Sequence, residues 1–435
     1  MQHSFMDKGE LIDAIPVTAG KLAPRPVTIE NTGLSESLLL DLMLKHMLIG
    51  GVVTKQTLVK NMGVTGGILQ GLLDTAKALA WVENRQTTTD GQMRFALSAG
   101  GEIHAKQALS RNGYIGLAPV TLEQYTDICQ KQSSRSTPVT YQMLEEGLSA
   151  LVLPSDLLFK IGPAMNSSRP VLIYGPPGTG KSYLCRHLNR ALGDSILIPY
   201  AISIGNEIIQ VFDPELHFRI METDSPNSLD FNHGHDPRWI QCQRPLRITG
   251  GELTSEMLEV QFDTHSRTYM APIQLKANNG ILLLDDLGRQ KISAKQLFNR
   301  WIIPMEERRD FLSLQSGEHF EIPFELILLF STNLDPKELV DEAFLRRLGY
   351  KIHFDALDES LYRKIWFQVC SELELSCSEE VFQYLLTEHQ RHGKPFIPCY
   401  PRDLLGIMSD QISFMEFDGV VTPSLIDSAW SIYFV

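Results

Sequence analysis

Cysteine is scarce in this chain. Six cysteines (Cys129, Cys185, Cys242, Cys370, Cys377 and Cys399) are spread over 435 residues, and no two form a CxxC pair. That excludes a disulfide framework or a zinc ribbon and fits reduced, buried thiols in a cytosolic protein. Long apolar runs are missing too: Ile281–Leu284 and Leu326–Phe330 are among the longest, far too short to span a bilayer. The N-terminal stretch MQHSFMDKGELIDAIP has no basic start followed by an apolar run, so no signal peptide is expected. Positive charge is in deficit, with 39 Lys and Arg against 52 Asp and Glu, a net charge of −13. Phosphate binding needs local positive charge, which argues against DNA as the default partner of the whole chain. There is no HExxH or GxSxG, hence no support for a protease or esterase site. A soluble cytoplasmic protein without a membrane span is the expectation.

What is present is ordinary globular material, 43 % hydrophobic and 21 % charged. The length suits two to four domains. Residues 1–34 hold Pro16, Pro24 and Pro26 with little periodicity and read as a tail or arm. Residues 35–112 have their own pattern: Leu38–Leu48 is apolar at helical spacing, Thr54–Asn61 is a short helix with Thr54 as N-cap, and Thr65–Ala80 is a third helix weakened by glycines. Trp81–Glu83 and Arg94–Leu97 read as two strands around the polar loop Gln86–Gly91, and Gly101–Leu109 closes as a helix. This order resembles a winged-helix module. Residues 38–112 carry a net charge of +3, so the acidity lies elsewhere. Yet the recognition-helix candidate holds only Lys77 and Asp74, few groups for phosphates or base edges. A protein-docking role is favoured over DNA binding. Residues 113–150 read as a connector with a helix around Leu122–Gln132. From 151 to 356, strand-like runs (Val171–Tyr174, Ile196–Tyr200, Ile281–Leu284, Leu326–Phe330) alternate with helical segments, which indicates an α/β fold with a parallel sheet. From 357 to 435 the pattern is helical only, a small cap.

The chemistry begins where the strand Val171–Tyr174 runs into Gly175-Pro176-Pro177-Gly178-Thr179-Gly180-Lys181-Ser182 and then into a helix from Tyr183. This is G-x-x-x-x-G-K-[ST] in the strand–loop–helix setting the motif requires. Glycines let backbone N–H groups turn inward as an anion nest. Lys181 would reach the β- and γ-phosphates, and the Ser182 hydroxyl would bind Mg²⁺. The run Ile281–Leu284 ends in Asp285 and Asp286, at the sheet end that faces such a loop. Asp285 would hold Mg²⁺, directly or through water, and Asp286 would polarise the attacking water.

Together these resemble Walker A and Walker B of the AAA+ ATPases. The resemblance implies ATP and Mg²⁺ as cofactors, a P-loop core with a C-terminal helical lid, and ATP hydrolysis. Most members carry Glu where Asp286 stands, one methylene longer, so hydrolysis here is expected to differ in strength. Asn333, ending Leu326–Thr332, matches sensor 1, whose neutral amide holds the attacking water. The segment 341–348 resembles the arginine-finger segment, with Arg347 the better match and Arg346 the second. Arg402 in Tyr400-Pro401-Arg402-Asp403-Leu404 matches sensor 2, which reaches the γ-phosphate from the lid. These motifs span Gly175 to Arg402.

Lys181 and Asp285 are about 100 residues apart, more than a plain crossover needs. The intervening stretch shows β-like alternation over 202–212 and 245–250, then a helix over 251–260. Phe311–Leu314, Gly317 and Phe320–Ile322 read as a hairpin just before sensor 1, similar to that of MoxR-like proteins and magnesium chelatase subunits. The whole chain resembles uncharacterised bacterial proteins described as ATPases with chaperone activity. The family implies a ring, a hexamer by resemblance, that remodels a protein client. Phe262 and Tyr269 are candidate pore aromatics. A nucleotide-switched DNA-binding regulator is the alternative reading, and a nucleotide-binding scaffold with little turnover a third. His233 and His235 form an HxH without distant partners, read as a solvated loop.

Overall fold

The computed structural model describes residues 19–86, 92–220, 235–339 and 342–434, without the Ala343 side chain. The expected α/β class is observed. Five parallel strands form the central sheet: β1 (Val171–Tyr174), β2 (Leu246–Thr249), β3 (Ile281–Leu284), β4 (Ile327–Thr332) and β5 (Tyr350–His353). Their spatial order is β2-β3-β4-β1-β5. β3 and the Val171–Ile173 part of β1 are aliphatic runs buried on both sides, as strands covered on two faces must be. Ile173, Leu283 and Leu329 point into one apolar layer, Leu172, Leu282 and Leu328 into the other. The alternation follows from the period of two along a strand.

Helices Glu359–Glu372, Glu379–Arg391, Cys399–Met415 and Pro423–Tyr433 pack Tyr362, Trp366, Phe382, Leu404 and Trp430 into a separate C-terminal core, the expected lid. Asp358, Ser378 and Thr422 cap three of these helices with side-chain oxygens.

At the other end, helices Glu36–Gly50, Lys55–Met62, Gly66–Ala78 and Ala99–Arg111 surround a core of Leu39, Leu42, Met43 and Met47. The hairpin Val82–Arg85/Arg94–Leu97 gains a third strand, Val53–Thr54, that the sequence pattern did not show. The loop tip expected over 86–91 falls, but for Gln86, outside the described residues. This core also takes in Ala201 and Ile208 from beyond residue 200, so the segment is not a free-standing bead.

Four expectations are corrected. Residues 19–34 are not a loose tail: two short helices form, Ala23 is buried in the body, and the carbonyl of Thr32 accepts from Arg238. Residues 113–150 are not a mere connector. Val120–Thr121 pairs in parallel with Ile202–Ser203, and Tyr125, Ile128 and Cys129 are buried. Ile196–Tyr200 does not join the parallel sheet: Ser195–Pro199 pairs antiparallel with Trp239–Gln243, because β2 already fills the edge beside β3. Finally, 251–260 is no helix. Only a 3₁₀ turn, Glu256–Leu258, forms, and the Glu252 carboxylate ties the start as a loop by accepting from the Gly250 N–H and the Thr249 hydroxyl.

These segments build one β-rich layer between the N-terminal helices and the parallel sheet. Its five-stranded sheet runs Gln261–Asp263, Thr268–Met270, Glu207–Gln210, Ala201–Ile204, Val120–Thr121. The hairpin Arg309–Ser313/His319–Pro323, seen as expected before β4, sends Leu312, Phe320 and Ile322 into the same core. Asp236 and Arg238 form a fully buried ion pair (2.8 Å), and Arg238 also donates to the Pro119 carbonyl at 3.0 Å, stapling the layer together.

Candidate functional site

The loop after β1 is shaped by close approach. A Cβ at Gly175 (φ +142°) would lie 2.0 Å from the Phe354 carbonyl oxygen, and one at Gly178 (φ +80°) 2.5 Å from the Cys399 sulfur. Only glycine lets the loop pass between the segment after β5 and the first turn of the Cys399–Met415 helix. The Cys399 N–H donates to the Gly178 carbonyl, so loop and lid touch directly.

Lys181 begins the next helix and is buried. Its ammonium donates to Pro176 O (2.7 Å), Gly175 O (2.9 Å) and Asn333 Oδ1 (2.7 Å), with Thr179 Oγ1 farther at 3.4 Å. Burial lowers its pKa, and the nearby Asp285 and Asp286 oppose that shift. The Ser182 hydroxyl donates to Asp285 Oδ1 at 2.7 Å. Asn333 Nδ2 donates to Asp286 Oδ1 at 3.1 Å. Asp286 sits at φ +51°, in the left-handed region. It is held there by Leu287 N–H donating to Ser331 O at 2.7 Å and Gln290 Nε2 donating to the Asp286 carbonyl at 3.1 Å. Such a conformation turns the chain sharply at the end of β3.

The structure thus brings together Gly175–Ser182, Asp285, Asp286 and Asn333 at the carboxyl ends of β1, β3 and β4. This is where ligands bind in open α/β sheets. A cavity of about 590 Å³ opens beside the loop, between sheet and lid. Leu151, Val152, Leu157, Phe354, Leu357 and Ile365 give it apolar walls, and Gly178–Gly180 and Tyr183 its phosphate-loop side. Tyr183 is exposed, its ring 4.5 Å from that of His187. Pro176 and Pro177 are exposed at the tip.

Arg402 lines the cavity but is turned onto Glu372, Nη2 to Oε2 2.5 Å, a pair between two lid helices. Sequence reasoning missed Glu372, which is an unremarkable acidic residue at a helix end. Arg346 and Arg347 are not among the cavity's lining residues. Arg347 Nε donates to Glu306 Oε1 at 2.6 Å, whereas Arg346 is exposed and holds no ion pair among the described residues. Asp341 lies outside the described residues. Phe262 and Tyr269 are corrected as pore aromatics: Tyr269 is buried, Phe262 packs on the same core, and their rings stand 4.8 Å apart. His233 falls outside the described residues. His235 is buried, with Nε2–H donating to the Trp239 carbonyl, rather than in a solvated loop. Among the described residues no group of three or more His, Cys, Asp or Glu could hold a metal ion, and no helix is long and apolar enough to cross a membrane.

The residues fit a nucleotide and its cation. A hydroxyl beside a carboxylate is the hard-oxygen pair Mg²⁺ takes while keeping waters. A buried ammonium held by main-chain oxygens is placed to exchange some of them for phosphate oxygens.

Residues 358–432 match a family described as a domain of unknown function (DUF8689). No curated protein matches the chain. Among solved structures, the RuvB Holliday junction branch migration motor of Thermotoga maritima aligns at 12 % identity over 70 % of this chain and 73 % of that one, with a TM-score of 0.36. NtrX from Brucella abortus aligns at 13 % identity over 65 % of this chain and 57 % of that one, with a TM-score of 0.38. At identities and scores this low, the chain's own strand order and loop carry the assignment: a parallel α/β fold with a P-loop and a C-terminal helical lid.

Proposed function

We propose that the chain is an ATP-dependent remodelling ATPase of the AAA+ kind, acting on a protein client from a homo-oligomeric ring, a hexamer by family resemblance. Residues 151–356 are its core, 357–435 its lid, and 35–112 a winged-helix-like docking module. The observation that supports this is the connected set Ser182–Asp285 and Lys181–Asn333–Asp286 under an apolar cleft roofed by the lid.

ATP lies with its base and ribose in the cleft and its phosphates on Gly175–Ser182. Lys181 exchanges loop carbonyls for β- and γ-phosphate oxygens. Ser182 and Asp285 would hold Mg²⁺, which would supply charge neutralisation on the phosphates. Asp286 orients the attacking water and accepts its proton, with Asn333 fixing the carboxylate. Arg402 swings from Glu372 to the γ-phosphate when the lid closes. Arg346, exposed and without an ion pair among the described residues, is the finger candidate proposed to reach a neighbouring subunit's nucleotide, while Arg347 is anchored by Glu306. ATP turnover by the full-length chain, compared with Asp286→Asn, tests the reading. The substitution is expected to slow hydrolysis and keep binding, and undiminished turnover would overturn the site.

The DNA-regulator reading draws on the helical order of residues 35–112, but the Gly66–Ala78 helix argues against it. Lys77 lies over the Phe95 ring and Gln70 bonds Asp74 and Lys55, leaving few groups for phosphates. Salt-dependent binding of duplex DNA by the full chain would restore that reading.

A further inference from the structure

The lid core holds a second reactive constellation that the nucleotide site does not use. Cys370 lies near the end of the Glu359–Glu372 helix and is 3 % exposed. The chain then folds back on itself. The Leu373 N–H donates to Val369 O (3.0 Å), Glu374 takes φ +56°, and the Leu375 N–H donates to Cys370 O at 2.8 Å. This left-handed cap reverses the backbone over the last helical turn. It sets Cys377 against the face where Trp366 and Cys370 stand one turn apart. The Trp366 indole N–H donates to Cys377 Sγ at 3.4 Å, and Cys377 packs against the same lid core that holds Cys370. The neighbouring Cys370 thiol and the Trp366 N–H lower the Cys377 pKa to about 7, while Cys377 and burial push Cys370 up. Cys377 is partly open to solvent and Cys370 is not.

We propose that Cys370 and Cys377 form a peroxide-sensitive dithiol that closes to a reversible disulfide within the lid. The partly exposed Cys377 thiolate attacks one peroxide oxygen. The O–O bond breaks, one water leaves, and Cys377 becomes a sulfenic acid. The Cys370 sulfur then attacks the Cys377 sulfur, the S–O bond breaks, and a second water leaves with the remaining thiol proton. Two thiols lose two electrons in all, and one hydrogen peroxide becomes two waters. A dithiol reductant reverses the bond. The disulfide closes on the last turn of the helix whose Glu372 holds Arg402.

The test uses the full-length protein under native conditions with hydrogen peroxide, followed by alkylation of free thiols, trypsin and mass spectrometry. Both cysteines fall in one tryptic peptide, Ile365–Arg391. That peptide is expected to lose two hydrogens and resist alkylation until dithiothreitol is added. In Cys370→Ser the reaction is expected to stop at a Cys377 sulfenic acid trapped by dimedone, and in Cys377→Ser the buried Cys370 stays reduced. Mapping of the wild-type chain decides the matter even if a variant folds poorly. The proposal is overturned if both thiols of the peroxide-treated protein still alkylate, if Cys377 passes to a sulfinic acid without a disulfide, or if oxidation falls on Cys399 instead.

Discussion

Asn333→Ala is the sharpest single perturbation of the proposed site, because Asn333 joins two charged groups. Its Oδ1 accepts from Lys181 Nζ at 2.7 Å and its Nδ2 donates to Asp286 Oδ1 at 3.1 Å. Lys181 keeps the Gly175 and Pro176 carbonyls when Asn333 is truncated, so the ammonium proposed to bind phosphate stays in place. Asp286 loses the side chain that holds its carboxylate among the described residues. A hydrogen bond to a charged group contributes about 1.5–3 kcal/mol. If that orientation matters only as the water attacks, the loss appears in turnover, about 10- to 150-fold at about 1.4 kcal/mol per factor of ten. Nucleotide affinity should stay within about threefold, the pattern of an interaction made in the transition state. Steady-state phosphate release at saturating ATP, with equilibrium titration of a fluorescent ATP analogue, separates the two quantities. Unchanged turnover, or a loss confined to affinity, would refute the role given to Asn333.

Arg402 and Glu372 should give opposite signs. Arg402→Ala is expected to weaken ATP binding about tenfold by losing a charged phosphate contact. Glu372→Ala should strengthen it by up to about fivefold by freeing Arg402 from an exposed ion pair; a parallel loss in both variants would contradict the lid-swing account. Arg346→Ala should reduce turnover about 10³-fold as a trans-acting cation does. Mixing it with inactive Lys181→Ala subunits should restore part of the activity, and failure of the mixture to recover would remove Arg346 from the interface. His389 supplies a pH prediction. The Tyr362 hydroxyl donates to its Nε2 and its Nδ1–H donates to the Lys394 carbonyl, and burial holds its pKa down to about 4. The unfolded chain therefore takes up this proton first, so stability is full above about pH 6.5 and falls by about 3 kcal/mol as pH drops to 4. Thermal melts between pH 7 and 5 should show the decline, flattened in His389→Gln; a wild-type melting temperature constant over that range would contradict it.

The phosphate loop was legible in the sequence because its chemistry is local. Glycine spacing, Lys181 and the strand before them lie within a dozen residues. The aliphatic runs of β3 and β4 and the amphipathic lid helices were legible for the same reason. The β-rich middle layer was not. Its pairings join Val120–Thr121 to Ile202–Ser203 and Ser195–Pro199 to Trp239–Gln243, and no local pattern says which distant strand fills an edge. Ile196–Ile198 reads like a parallel strand, yet β2 takes the place beside β3. The stretch 251–260 shows side-chain capture overriding an apolar pattern, through Glu252. Within the site, the Lys181–Asn333–Asp286 link joins positions over a hundred residues apart, so the motifs named its members but not their bonds. Glu372 carried no signal at all, since its meaning comes from facing Arg402.

The central claim is that Gly175–Ser182 holds ATP for hydrolysis. Its most direct measurement is phosphate release from ATP and Mg²⁺ by the full-length chain beside its Lys181→Ala variant, with ATP binding measured on both. Lys181 brings an ammonium bonded within this loop, so the wild type should bind ATP and turn it over steadily, and the variant should do neither. Equal turnover in the two proteins, or a wild type that binds no ATP in the presence of Mg²⁺, would contradict the account.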